Sequence, residues 1–178
     1  MPGFKIADYG GEALSTIETL RPHRWRIIQL GPITAQDFLL TAKELTLPQW
    51  KVEQLTVLGA VLNYKYAKNI KWDDISLTFY DTQKLASEIE KWKSLVNTDD
   101  KGILVHGSGG YKKECEFDEL DGQGTSVRNI KLFGAWPSSI NYGKLSYQNS
   151  ELKSVELSIT YDYARITPKE PPRGHHGV

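Results

Sequence analysis

The residues that most invite a chemical reading lie between Lys101 and Asp121, with two more at the far end of the chain. His106 and Ser108 are close enough in sequence to suggest a base beside a nucleophile, the pairing by which a hydrolase activates a hydroxyl. No Gly-x-Ser-x-Gly elbow surrounds Ser108, however, and no strand-to-helix pattern leads into it. Gly102 and Gly107 have the spacing that begins a phosphate loop, but Ser108 and Gly109 stand where Lys and Ser or Thr are needed to hold phosphate and metal. Asp118, Glu119 and Asp121 offer carboxylates for calcium, yet Leu120 and Gly122 occupy positions from which a calcium loop draws its oxygens, so "DELDGQG" reads as a hairpin tip. His175 and His176 are adjacent on a polar tail and lack the further ligands of a metal site. Cys115 alternates with Phe117 and reads as a small apolar packing residue. No catalytic, cofactor or metal constellation emerges, which points to a protein that works through its surfaces.

The elements around these residues are mainly β. "RWRIIQL" and "DFLLTAKEL" are short branched or aromatic runs on either side of the Gly31-Pro32 turn signal, and read as two paired strands. "WDDISLTFYD" alternates Ile75, Leu77 and Phe79 against Ser76, Thr78 and Tyr80, the pattern of a strand with one buried face. The period then changes. Leu85, Ile89, Trp92 and Val96 recur at helical spacing after Asp81 and Thr82, either of which suits an N-cap, and Trp92 on that stripe reads as a core anchor. After the Gly-rich stretch 97–113 come "KKECEFDEL", "SVRNIKLFGAWP" and "SVELSITYDYARI", the last read as one strand that alternates from Val155 to Tyr163. The domain reading is an arm over residues 1–20, one β-domain over 21–166 and a flexible Pro-rich tail over 167–178.

Composition narrows the class. The 22 basic and 22 acidic side chains cancel, with a pI near 6.9, so no global field draws in nucleic acid or anionic lipid. The single cysteine excludes an internal disulfide, and the N-terminal residues lack the basic start and apolar run of a secretory signal. Nothing approaches the roughly 20 apolar residues of a membrane-spanning helix. The expectation is a soluble protein made in the cytoplasm, with no membrane anchor.

One stretch fits a single buried face poorly. In "LPQWKVEQLTVLGAVLNYKY", Trp50 and Val52 fall on even positions, Leu55, Val57 and Val61 on odd ones, and Leu62, Tyr64 and Tyr66 on even ones again. Strand side chains have period two, so each slip moves the apolar set to the opposite surface unless a bulge or turn intervenes. Two readings stay open: a long hairpin whose bulges let both faces reach one core, or a projecting segment that packs on neighbouring subunits.

The motifs "RPHRWRI", "TAKELTLP", "KWDDISLTFYD", the helix "EIEKWKSLV", "GGYKKECEF", "NIKLFGAWP" and "VELSITYDYARI" resemble, in the same order, the tail tube proteins of contractile-tailed bacteriophages. The resemblance covers about residues 21–166. It implies an antiparallel β-sandwich or partly open β-barrel with one flanking α-helix, six copies forming a ring whose inner sheets join around a lumen. It further implies a long inter-subunit loop, corresponding here to Pro48 through about Asn69, with Trp50, Val52, Leu55, Val57, Val61, Leu62, Tyr64 and Tyr66 as contact residues. On that view Leu55, Val57 and Val61 meet one neighbour while Trp50, Tyr64 and Tyr66 meet another surface. The implied partners are further copies of the chain and the sheath, baseplate and terminator proteins, in a virion tail assembled in the host bacterial cytoplasm. No cofactor is implied, and DNA would pass through the lumen without specific binding. A tube initiator or baseplate hub of the same fold, and the tube of a phage-like injection or secretion system, are the alternatives.

Overall fold

The computed structural model describes residues 21–33, 41–59, 61–96, 110–147 and 151–169. In chain order these form β1 (Trp25–Leu30), β2 (Ala42–Leu45), β3 (Trp50–Leu58), β4 (Asn63–Trp72), β5 (Ile75–Tyr80), α1 (Gln83–Val96), β6 (Lys113–Leu120), β7 (Ser126–Asn141), β8 (Ser154–Thr160) and β9 (Tyr163–Pro168). Seven strands make one antiparallel sheet in the order β1-β6-β7-β8-β5-β2, with β9 also on β7, while β3 and β4 pair only with each other.

The 16-residue β7 divides that sheet into two layers. Its first half pairs with β9 as far as Phe133↔Tyr163, and its second half pairs with β8 from Trp136↔Thr160 onward. Gly134 lies at the change of partner with φ +66°, and a Cβ there would run into the Asp162 carboxylate. Only glycine adopts that backbone without strain. Asp162 marks the matching break on the other side, donating its backbone N–H to the Phe133 carbonyl at 2.9 Å. The run 155–163 is therefore two strands, with Tyr161 buried at the break and Tyr163 exposed beyond it.

The layers share one core. Ile27, Leu30, Phe117, Ile130 and Leu132 come from one half, Ile75, Leu77, Phe79, Val155, Leu157 and Ile159 from the other. The sets occupy alternate positions of their strands, as the period-two pattern requires, except on β1, where a bulge between Ile27 and Gln29 brings Ile27 and Leu30 to the same face. The sheet does not close into a barrel, since β1 and β2 are the two ends of its path.

That order corrects the expectation that β1 and β2 pair. β1 lies on β6, with Ile27 opposite Phe117 and Leu30 opposite Cys115, while β2 lies on β5. The reason sits at the end of β1. Gly31, at φ +55°, donates its N–H to the Glu114 carbonyl at 3.0 Å and runs beneath Trp92, whose ring stands 2.7 Å from where a Cβ would be. The chain is held against the helix there, and the turn at Gly31-Pro32, in which the Ile33 N–H donates to the Leu30 carbonyl at 3.0 Å, folds Ile33 and not β2 back on the strand.

The helix follows its stripe: Leu85, Ile89 and Trp92 are buried and Val96 is half-buried. Thr82 is the cap, its Oγ1 accepting the Leu85 N–H at 3.3 Å, while Asp81 pairs with Lys153. Trp92 donates Nε1–H to the Tyr111 carbonyl at 3.2 Å, which satisfies its one polar atom in the core. Residues 167–168, counted with the tail in the sequence reading, continue β9, and Lys169 donates to the Val127 carbonyl at 2.8 Å. The remaining tail and the 1–20 arm lie outside the described residues.

Candidate assembly surface

The carboxylate-rich turn is a hairpin tip. Asp121 Oδ1 accepts the N–H groups of Gln123 and Thr125, each at 2.8 Å, and these bonds, the Thr125 one foremost, hold its carboxyl below the usual range. Glu119 is paired with Arg128 at 2.9 Å. Asp118 is buried; burial pushes its pKa up, but hydrogen bonds from Asn129 and Arg26 outweigh that and leave it lowered. Cys115 is fully buried, and burial pushes its thiol up to about 12, so it packs as an apolar residue and is no nucleophile. Gly102, His106, Gly107, Ser108, His175 and His176 lie outside the described residues.

What the described chain does display is apolar surface on the β3–β4 hairpin. Trp50, Val52, Leu55, Val57, Leu58, Val61, Leu62, Tyr64, Tyr66 and Ile70 are all exposed, Val61 at the tip by 91%. A strand pair with both faces in water has no core to stabilise it, and an isolated hairpin is marginal. Its stability comes from its base. The Asp73 N–H donates to the Gln49 carbonyl at 3.0 Å, and the half-buried Trp72 ring lies 5.9 Å from that of Tyr161. Tyr161 in turn donates its hydroxyl to the Asp73 carbonyl at 2.8 Å. Asp74 Oδ2 accepts from Thr160 Oγ1 at 2.8 Å and Ser138 Oγ at 3.3 Å, tying the hairpin's exit to the β7–β8 layer.

Register explains both phase slips. The second is the turn itself: the chain reverses between Leu58 and Asn63, so odd β3 positions face even β4 positions, Val57 opposite Tyr64 and Leu55 opposite Tyr66. The first is a true change of face. Trp50 and Val52 point opposite to Leu55 and Val57, and a bulge after Ala67 puts Lys68 and Asn69 across from Glu53, which brings Ile70 opposite Val52 and Trp72 opposite Trp50. The hairpin thus has an outer apolar quartet of Leu55, Val57, Tyr64 and Tyr66 on one side and a basal quartet of Trp50, Val52, Ile70 and Trp72 on the other. This corrects the grouping of Tyr64 and Tyr66 with Trp50. Beyond Trp72, which packs against the core at the base, neither face reaches the subunit's own core.

Two members escaped the sequence reading, because the loop was closed at about Asn69, short of Ile70, and Trp72 was counted with the next strand. Their even positions continue the spacing of Tyr64 and Tyr66, and Asp73-Asp74, before β5 begins at Ile75, was the available boundary signal. The hairpin also carries Lys51, Lys65, Lys68 and Lys71 against the single acid Glu53, making a basic arm on a chain of zero formal charge. Lys71 pairs with Glu53, and Lys51 reaches Asp73 at 2.8 Å.

Among solved structures the fold is similar to the tube-terminating cap of the anti-feeding prophage, at 12% identity over 86% of this chain and 94% of that one, TM-score 0.68. It is similar to a chain of the PVC sheath/tube terminator of an extracellular contractile injection system, at 13% identity over 85% and 99%, TM-score 0.66. A chain of the PVC sheath-tube complex is similar at 12% identity over 89% and 97%, TM-score 0.65. A comparison with curated proteins finds no match. The model of the phage tail tube protein family matches residues 22–166, which takes in both layers, the helix and the hairpin. The chain belongs to that family, and is accordingly a structural component of a tail and not an enzyme.

Proposed function

We propose that this chain is the repeating tube subunit of a contractile phage tail, that six copies close into a ring, and that stacked rings form the conduit through which DNA leaves the capsid. The observation that carries this reading is the hairpin, whose two apolar quartets, apart from Trp72 at the base, are exposed on the free subunit. Burying a Leu or Val side chain is worth roughly 1.5 to 3 kcal/mol, so covering either quartet rewards association. One contact that closes by rotation makes a ring, and a second that never closes makes a filament. A hairpin with two apolar faces supplies both from one arm: the outer quartet, with Val61 and Leu62 at the tip, serves one neighbour and the basal quartet another. Sheath, baseplate and terminator proteins would meet the assembled tube, which would form in the host bacterial cytoplasm and remain in the virion tail.

The conduit role draws on the outward face of the layer formed by β2, β5, β8 and the second half of β7. Ser76 stands opposite Ser158, Thr78 opposite Glu156, and Glu156 opposite Asn141. No Lys or Arg occupies these register positions, although bases equal acids over the whole chain. A wall of short hydroxyls and a carboxylate suits a sliding polyanion, because each cation that neutralised a phosphate would release counterions and add affinity. We assign this face to the lumen.

Negative-stain microscopy of the purified protein at rising concentration tests the reading: rings or open-ended tubes with a central hole are expected. Strictly monomeric protein at every concentration, and on a baseplate template, would count decisively against it. Tube-terminating caps share the fold, so a single-ring role is the competing reading. Copy number per virion separates the two, a tube subunit being among the most abundant virion proteins.

A further inference from the structure

The outward face of the other layer, on β6, β7 and β9, differs in kind. Phe133 and Tyr163 are directly opposite in register and stack with centroids 4.6 Å apart and planes 13° from parallel. Two cations crowd the same ring: the Arg165 guanidinium carbon lies 5.5 Å and Lys131 Nζ 5.6 Å from the Phe133 centroid. Arg165 and Lys131 are themselves direct register partners, an unfavourable placement for like charges. Lys131 is neutralised by Glu114 at 2.8 Å, but among the described residues Arg165 forms no ion pair. Tyr163 beside it is 46% exposed.

We infer that Arg165 and the Phe133–Tyr163 stack are the site at which the tube subunit holds an acidic segment of the sheath protein. The inference rests on the tube reading, in which the layer opposite the lumen wall is the one that meets the sheath. A guanidinium over an aromatic face keeps its edge N–H groups free, and their fork matches a carboxylate. Exposed aromatic area next to Arg is what the anchoring centres of protein interfaces are made of. A protein segment fits better than nucleic acid. Glu116 stands directly opposite Lys131, one strand from Arg165, and Glu114 flanks it, so a phosphate backbone crossing the face meets acids where it needs a run of cations. A peptide can set one or two carboxylates on Arg165, lay an apolar side chain on Tyr163 and avoid β6.

The test uses tubes assembled from the full chain and purified sheath subunits of the same tail, scored by co-sedimentation at low and high salt. Arg165→Glu and the milder Arg165→Gln are expected to give normal tubes by microscopy and to lower sheath affinity by about tenfold, the loss of one charge-assisted hydrogen bond. Added salt should weaken the wild-type interaction toward the variant level. Variant tubes that capture sheath as well as wild type overturn the inference and leave the tube reading standing. A wild-type protein that makes no tubes overturns both. A short DNA duplex held by wild-type tubes and released by Arg165→Gln would reassign the patch to nucleic acid and overturn it as well.

Discussion

Val57 stands directly opposite Tyr64 across the β3–β4 hairpin, and the two side chains share an exposed face with Leu55 and Tyr66. Since none of the four belongs to the subunit's core, a charge placed among them costs little in a free subunit and a great deal at a buried contact. Leu55→Asp combined with Val57→Asp should therefore leave the circular dichroism and the denaturant midpoint nearly unchanged while abolishing tubes under the microscope. Loss of folding in the double variant would show that the quartet serves the subunit's own stability.

Gly31 offers the opposite case, a core position where the smallest addition is severe. Gly31→Ala must accept both a left-handed backbone and a methyl pressed on the Trp92 ring. The expected loss is roughly 2–4 kcal/mol, combining the cost of that conformation with that of overpacking. Urea unfolding of the pure subunit measures it, and a loss under about 1 kcal/mol would mean that Trp92 yields easily.

Two buried groups predict alkaline sensitivity. Burial raises the Cys115 thiol to about 12, and burial together with the Asp73 and Asp74 carboxylates raises the Tyr161 hydroxyl to about 12. Both hold their protons more tightly folded than unfolded, so their contribution is complete below the unfolded pKa values, about 8.5 for Cys and 10 for Tyr. It is then lost as pH rises toward 12. Stability measured at constant ionic strength should fall from about pH 9 upward, and less steeply in Cys115→Ala. A profile flat to pH 11 would contradict this, and native Cys115 should resist thiol reagents at pH 8.

The proposed lumen wall predicts poor binding of free duplex DNA by rings and tubes, weaker than the ordinary non-specific range of roughly 10⁻⁴ to 10⁻⁶ M at physiological salt. Thr78→Lys with Ser158→Lys, two polar outward positions, should leave tube formation intact and bring in salt-sensitive binding by gel shift or fluorescence titration. Micromolar affinity in the wild type, with a steep salt slope, would sink the passive-conduit idea.

Much of this molecule is legible locally. Side-chain direction in a strand and a helix follows from period alone, so Ile75, Leu77 and Phe79 on β5, Val155, Leu157 and Ile159 on β8, and Leu85, Ile89 and Trp92 on α1 can be assigned to the core without knowing what they touch. The same ordered motifs carry the family resemblance, and the apolar run from Trp50 to Tyr66 stands out before any partner is known.

Pairing and facing are another matter, because each depends on a residue far along the chain. β1 joins β6 and not the nearer β2 because Gly31 is held by Glu114 and Trp92, some sixty to eighty positions away. The 155–163 run splits in two because Asp162 has to fit beside Gly134 where β7 changes partners. On the hairpin, odd and even positions share a face only once the turn sets Val57 against Tyr64, and Ile70 joins Val52 only through the bulge after Ala67. Period two is a property of one strand, whereas register belongs to two, and only the folded chain brings the second strand into place.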